Sequence, residues 1–250
     1  MNLFFKKVLI VSDNASLCFK FIELCNELHL KLDNFEFAKS PQSKFEINNL
    51  PREKRIKVVS MKTDWQELVG EFDLIISMHS KQLFPSELIN RVKCINIHPG
   101  FNPYNRGWYP QVFSILNKKP AGATIHEIDD QLDHGDIIAQ KQLKIKSCDT
   151  SGSAYNRILD LEIELLRNYL IPILENNYQT KKPENEGNLN YKTDFNALLE
   201  LDLSKTQTIG ETIDLLRALT HENYNNAYFI NKKTGEKVFV NVNFSNEKNA

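Results

Sequence analysis

Residues 72–99 read FDLIISMHSKQLFPSELINRVKCINIHP. Leu74-Ile75-Ile76-Ser77-Met78 is a short apolar run of the length and character of a buried strand. Ser86-Glu87-Leu88-Ile89 begins a helix, and Cys94-Ile95-Asn96-Ile97-His98 returns to apolar-polar alternation. Strand, helix, strand in so short a span is the βαβ unit of a parallel sheet. Alternation also places Asn96 and His98 on one face of their strand, because side chains at i and i+2 point the same way. Pro99-Gly100 and Asn102-Pro103 end the strand at once. Both polar groups therefore sit at its carboxyl end, where open α/β sheets place their ligands.

The same rhythm extends in both directions. Lys7-Val8-Leu9-Ile10-Val11-Ser12 reads as a buried strand, and Leu17, Phe21, Leu24, Cys25 and Leu28 follow at helical spacing. No GxGxxG follows that first strand, which argues against a dinucleotide pyrophosphate and so against NAD or FAD. Residues 39–57 read as a polar surface connection around Pro41 and Pro51, Lys57-Val58-Val59 as a short strand, and Trp65 to Val69 as a helix capped by Thr63-Asp64. Further on, 111–116 and 153–175 carry helical apolar spacing, and 123–128 and 137–143 read as strands. Residues 179–196 are rich in Lys, Asn, Glu and Gly. Beyond them, the pattern predicts a helix over 208–219 and a hairpin pairing 227–230 with 238–242. The expected architecture is a Rossmann-like α/β domain with a mainly parallel, mixed sheet over 1–180, a linker over 181–207, and a small C-terminal helix and β-hairpin subdomain over 208–250.

Composition narrows the function classes. Hydrophobic residues at 41%, charged residues at 25% and a net charge of -1 suit a soluble globular protein with no bulk attraction for nucleic acid. Residues 181–250 hold 9 Lys/Arg against 10 Asp/Glu, so a basic RNA-binding extension is not expected. The first seven residues lack a signal-peptide pattern and no apolar stretch reaches membrane-spanning length, so a cytoplasmic protein without a membrane partner is expected. Cys18, Cys25, Cys94 and Cys148 show no metal-like clustering and read as reduced apolar residues.

From Ile95 to Gln140 the chain reads INIHPGFNPYNRGWYPQVFSILNKKPAGATIHEIDDQLDHGDIIAQ. This segment resembles the core of the 10-formyltetrahydrofolate-dependent formyltransferases. Their Asn-x-His-Pro, Gly-Ala-Thr-x-His strand and Asp-x-Gly-x-Ile-Ile turn appear here in order, the last as Asp133-His134-Gly135-Asp136-Ile137-Ile138. Gly-Phe-Asn-Pro-Tyr-Asn-Arg-Gly-Trp after the His-Pro is similar to the sugar N-formyltransferases acting on dTDP-linked amino sugars. Leu216-Arg217-Ala218-Leu219-Thr220 and Ala227-Tyr228-Phe229 resemble the family's carboxyl-terminal region.

The resemblance implies that Asn96, His98 and Asp133 form the catalytic trio of a formyl transfer. Ser80, Lys81, Gln82, Glu127 and Asp130 would then contact the folate, with 10-formyltetrahydrofolate as co-substrate and no metal. Phe101, Asn102, Tyr104, Arg106 and Trp108, in the loop after His98, would contact the nucleotide sugar. Tyr224 and Asn225 would stack on and hydrogen-bond the base. Among the remaining residues, His126 reads as a satisfied strand histidine and His134 as a solvent-facing one. The implied acceptor is a dTDP-linked amino-dideoxysugar, with dTDP-4-amino-4,6-dideoxyglucose the leading choice, in surface-polysaccharide synthesis. Alternatives are a 3-amino sugar, methionyl-tRNA, or a non-catalytic folate- or nucleotide-binding regulator. The hairpin would pair two copies as a homodimer.

Overall fold

The computed structural model describes residues 3–44, 56–222 and 224–245. Most of the polar connection expected over 39–57, and the last five residues of the tail, lie outside these ranges. In chain order the elements are β1 (Val8–Ser12), α1 (Ala15–Glu27), β2 (Phe35–Lys39), β3 (Lys57–Val58), α2 (Trp65–Glu71), β4 (Leu74–Met78), α3 (Ser86–Ile89) and β5 (Lys93–His98). There follow β6 (Arg106–Gly107), α4 (Pro110–Asn117), β7 (Ala121–Glu127), β8 (Ile137–Leu143) and α5 (Ser151–Leu174). The tail adds β9 (Leu189–Asn190), α6 (Lys192–Asn196), α7 (Ile209–Leu219), β10 (Tyr228–Ile230) and β11 (Lys237–Phe239).

Seven strands form one sheet in the order β3-β2-β1-β4-β5-β7-β8. The first five are parallel, whereas β7 runs antiparallel to β5 and β8 antiparallel to β7. The mainly parallel, mixed sheet is as the sequence leads one to expect. Strand alternation divides the core between its faces. Val8, Ile10, Leu74, Ile76, Ile95 and Ile97 pack with Phe21 of α1 and Ile158, Leu165 and Leu166 of α5. Leu9, Val11, Ile75 and Cys94 pack with Leu68 of α2 and Leu88 of α3.

The helices begin where side chains can satisfy the free backbone N–H groups. Thr150 caps α5, with Ser153 returning the bond, and Thr208 with Glu211 does the same for α7. Pro110 opens α4 at a position that needs no N–H.

The stretch expected as a linker carries structure of its own. Ile137 and Lys181 exchange both backbone bonds, and β9 pairs with β6 inside the loop after His98. Phe195 of α6 is buried with Val112 and Ile115 of α4 and Leu219 of α7. Two-residue strands have no readable periodicity, and the polar composition conceals that Phe195 is a core residue. The hairpin forms as Tyr228↔Phe239, Phe229↔Val238 and Ile230↔Lys237, its first strand beginning one residue later than expected and its second running over 237–239 rather than 238–242.

Candidate active site

The carboxyl end of β5 and the antiparallel neighbour β7 build the site together. Cross-strand partners share a face, and the register pairs Asn96 with His126 and His98 with Thr124. Two histidines, an asparagine and a threonine thus converge from two strands. The loop between β7 and β8 adds Asp133, whose left-handed backbone (φ 48°) directs its carboxylate back over β5.

Asn96 Nδ2 donates to Asp133 Oδ1 at 2.9 Å, and the Gly107 backbone N–H donates to Asp133 Oδ2 at 3.0 Å. His98 Nδ1 faces the same Oδ2 at 3.4 Å. A carboxylate in that place makes Nδ1 the protonated nitrogen of a neutral ring. His98 is 3% exposed, and its Nε2 is buried with no hydrogen-bond partner among the described residues. The ring lies against Gly100. Burial pushes the His98 imidazole down to about 4, with His126, His79 and Arg106 adding to burial and Asp133 opposing it. Burial alone would raise the Asp133 carboxyl, but His98, His126 and the Gly107 amide outweigh it and hold the group well below the usual carboxylate range. Near pH 7 the site therefore presents a carboxylate, a neutral imidazole and an amide.

His126 is more than a satisfied strand residue. Its Nδ1 donates to the Glu127 carbonyl at 2.7 Å, and its Nε2 lies 3.3 Å from Asn96 Nδ2 and 3.6 Å from Asp133 Oδ1. The Gly-Ala-Thr-Ile-His strand carried the signal, but the role depends on antiparallel register.

The other expected residues separate into groups. Asn102 is buried and braces the loop: its N–H donates to Thr124 Oγ1, its amide to the Asp133 carbonyl, and its carbonyl accepts from Gln140. Arg106 is buried with Nε unpartnered among the described residues. Phe101, Tyr104 and Trp108 are half-buried, and Lys192 sits over the Trp108 ring at 5.4 Å.

Ser80 and Lys81 leave the end of β4. The Ser80 hydroxyl is buried and unpartnered among the described residues, and the Lys81 N–H donates to Asp13. The Gln82 amide is occupied with Met61 N and Val59 O, bracing two loops. Glu127 points away from the trio, because it shares parity with Ile95, and its carboxylate accepts from Lys93 and the Tyr178 hydroxyl. Asp130 is exposed in the loop between β7 and β8. Tyr224 and Asn225 are exposed, with Tyr224 edge-on to His221. His134 pairs with Asp129 at 2.7 Å. Among the described residues no group of three or more His, Cys, Asp or Glu is arranged to hold a metal, and no helix is long and apolar enough to cross a membrane.

The mixed α/β sheet thus gathers an amide and an imidazole at the carboxyl end of β5 under a carboxylate from the β7–β8 loop, a set able to hold and move a proton. The chain belongs to the formyl transferase family, whose model matches residues 7–170. Residues 194–246 match the N-formyltransferase dimerization C-terminal domain. Over 184 residues the chain is 53% identical to the dTDP-4-amino-4,6-dideoxyglucose formyltransferase of Mycobacterium bovis, spanning 74% of this chain and 78% of that protein. The crystal structure of a 4-N formyltransferase from Francisella tularensis superposes with a TM-score of 0.90 at 42% identity, covering 97% of this chain and 99% of that one. A sugar N-formyltransferase from a Shewanella species gives 0.90 at 41% identity, with the same coverage.

Proposed function

We propose that the protein transfers the formyl group of 10-formyltetrahydrofolate to the 4-amine of dTDP-4-amino-4,6-dideoxyglucose. The observation that carries the chemistry is the buried, unpartnered Nε2 of His98, with Nδ1 turned to the Asp133 carboxylate. That tautomer leaves a free lone pair to accept a proton from the attacking amine. The Asn96 N–H directed at His126 across the longer 3.3 Å contact is the one that turns to the oxyanion.

In the reaction the amine nitrogen bonds to the formyl carbon, and the carbonyl oxygen becomes an oxyanion facing Asn96. His98 takes the amine proton on Nε2 as the Asp133 carboxylate, facing its Nδ1–H, stabilises the imidazolium. The bond from formyl carbon to N10 then breaks, and His98 returns the proton to N10. Formamide and tetrahydrofolate leave, and the imidazole is again neutral. No net proton is lost when the amine enters uncharged.

The loop from Phe101 to Trp108, with Tyr224 and Asn225, is assigned to the nucleotide sugar, and Ser80, Lys81 and the turn around Asp130 to the folate. Gln82 and Glu127 act through bracing rather than contact. We place the enzyme in the cytoplasm as a homodimer joined through the β10–β11 hairpin, whose Val238 and Phe239 are exposed, supplying surface-polysaccharide synthesis. Incubation with 10-formyltetrahydrofolate and a panel of dTDP- and UDP-linked 3- and 4-amino sugars and methionyl-tRNA, read by mass spectrometry, tests the acceptor. The dTDP 4-amino sugar is expected to gain one formyl unit, and its inertness beside a reactive competitor would overturn the assignment.

A further inference from the structure

Asp133 is held by an amide that is itself held from outside the seven-stranded sheet. The Gly107 N–H donates to Asp133 Oδ2 at 3.0 Å, the same oxygen that faces His98 Nδ1 at 3.4 Å. Gly107 belongs to β6, a two-residue strand whose one strand partner is β9. Successive N–H groups of an extended strand point to opposite sides. Those of Arg106 and Trp108 donate to the carbonyls of Asn188 and Asn190, each at 2.9 Å, which leaves the one between them for Asp133. β9 thus grips β6 along one edge, and β6 grips the carboxylate along the other.

Side chains and two glycines fix β9 in that place. Asn105 is fully buried with a left-handed backbone (φ 53°). Its N–H donates to Asn188 Oδ1 at 3.1 Å, and its Oδ1 accepts from Asn188 Nδ2 at 2.8 Å. Lys119 Nζ also donates to Asn188 Oδ1, at 2.9 Å. Asn188 therefore uses both ends of its amide on the segment between β5 and β7. A Cβ at Gly187 would stand 1.9 Å from the Pro103 carbonyl oxygen, and one at Gly107 2.4 Å from the Asn190 oxygen, so the two segments touch at a distance that only glycine permits. None of the transfer steps uses β9, and it falls between the two stretches that match the family.

We propose that β9 is part of the catalytic apparatus and that Asn188 is a positioning residue for formyl transfer, acting through the Gly107 amide on the Asp133 carboxylate. The inference rests on Asp133 as the partner of His98. A pairing of two residues with two does not stand on its own, so the clamp from Asn188 decides whether it persists. Once β9 lifts, β6 has no strand beside it and the Gly107 N–H drifts from Oδ2. The imidazolium formed during transfer then faces a counter-charge that is no longer fixed.

The sequence holds nine glycines, and only Gly107 follows an arginine, so labelling with ¹³C-carbonyl arginine and ¹⁵N-glycine isolates its amide signal by NMR. Its exchange with deuterium is followed in wild type, Asn188→Ala and Gly187→Ala, which reach β9 by different routes, with thermal melts reporting that each is folded. Steady-state kinetics use the acceptor that wild type formylates. The Gly107 amide is expected to be protected in wild type. In both variants its exchange is expected to quicken by about tenfold or more and kcat to fall about tenfold, with the folate KM within about twofold. A lowered melting temperature with exchange and kcat as in wild type is what a merely structural strap would give, and it overturns the proposal. So does a change in one of those two readouts without the other in whichever variant folds. A wild-type Gly107 amide that exchanges as freely as an exposed one overturns it without either variant. The exchange measurement uses no sugar or folate, so its result stands apart from the acceptor assignment.

Discussion

Alanine at Gly100 is expected to disable catalysis while leaving the fold intact. A Cβ built there meets His98 Nε2 at 2.4 Å, His98 Cδ2 at 2.7 Å and Pro110 Cβ at 3.2 Å. Ordinary contact begins near 3.4 Å, so the imidazole must withdraw by about 1 Å, the difference between 3.4 and 2.4. The backbone of Gly100 is outside the left-handed region and accepts alanine, so the damage falls on the ring. A displacement of this size is worth about 10²-fold in rate when it misplaces a reacting group. Overpacking at one such site costs about 1–3 kcal/mol of stability. Steady-state kinetics with saturating folate and sugar, beside a thermal melt, separates the two effects. A kcat within about threefold of wild type would show that the His98 position is not what the reaction depends on.

Other expectations follow from the same geometry. Asn96→Ala is expected to lower kcat by about 10²–10³ with little change in KM, since the donor acts on the oxyanion rather than the ground state. His98, lowered to about 4 by burial, takes up its proton later than in the unfolded chain, where the value is about 6.5. As pH falls, the unfolded state is protonated first, so native stability declines from about pH 6.5 to 4, by up to about 3 kcal/mol. Urea melts at pH 7, 6 and 5 should show that decline flattened in His98→Gln; equal slopes would contradict it. Phe239→Glu, on the exposed face of the hairpin, is expected to yield monomers by light scattering if β10 and β11 join the protomers.

Much of this was legible in the sequence because strand alternation and helical spacing are local. Leu74 to Met78 and Cys94 to His98 show their burial in the letters, and alternation alone puts Asn96 and His98 on one face. What was not legible depends on pairing between distant segments. His126 joins the trio only through antiparallel register with Asn96, and the same register sends Glu127 to the opposite face. Asn102 reads only as a polar loop residue, and its anchoring comes from a distant segment: its Nδ2 donates to the Asp133 carbonyl, while its Oδ1 is buried without a partner among the described residues. Residues 181–207 read as a linker by composition, whereas β9 within them is laid along β6 by backbone bonds that no side-chain pattern encodes. Glu162 stands in an apolar stripe with nothing local to identify His79 as its partner.

The most direct test of the central claim is to follow a ¹³C-labelled formyl group from 10-formyltetrahydrofolate into dTDP-4-amino-4,6-dideoxyglucose by NMR, with wild type and His98→Ala in parallel. The label is expected on the sugar nitrogen as a formamide, formed with wild type and lost with His98→Ala. Label remaining on the folate with wild type, or transfer at an undiminished rate in the variant, would contradict the account.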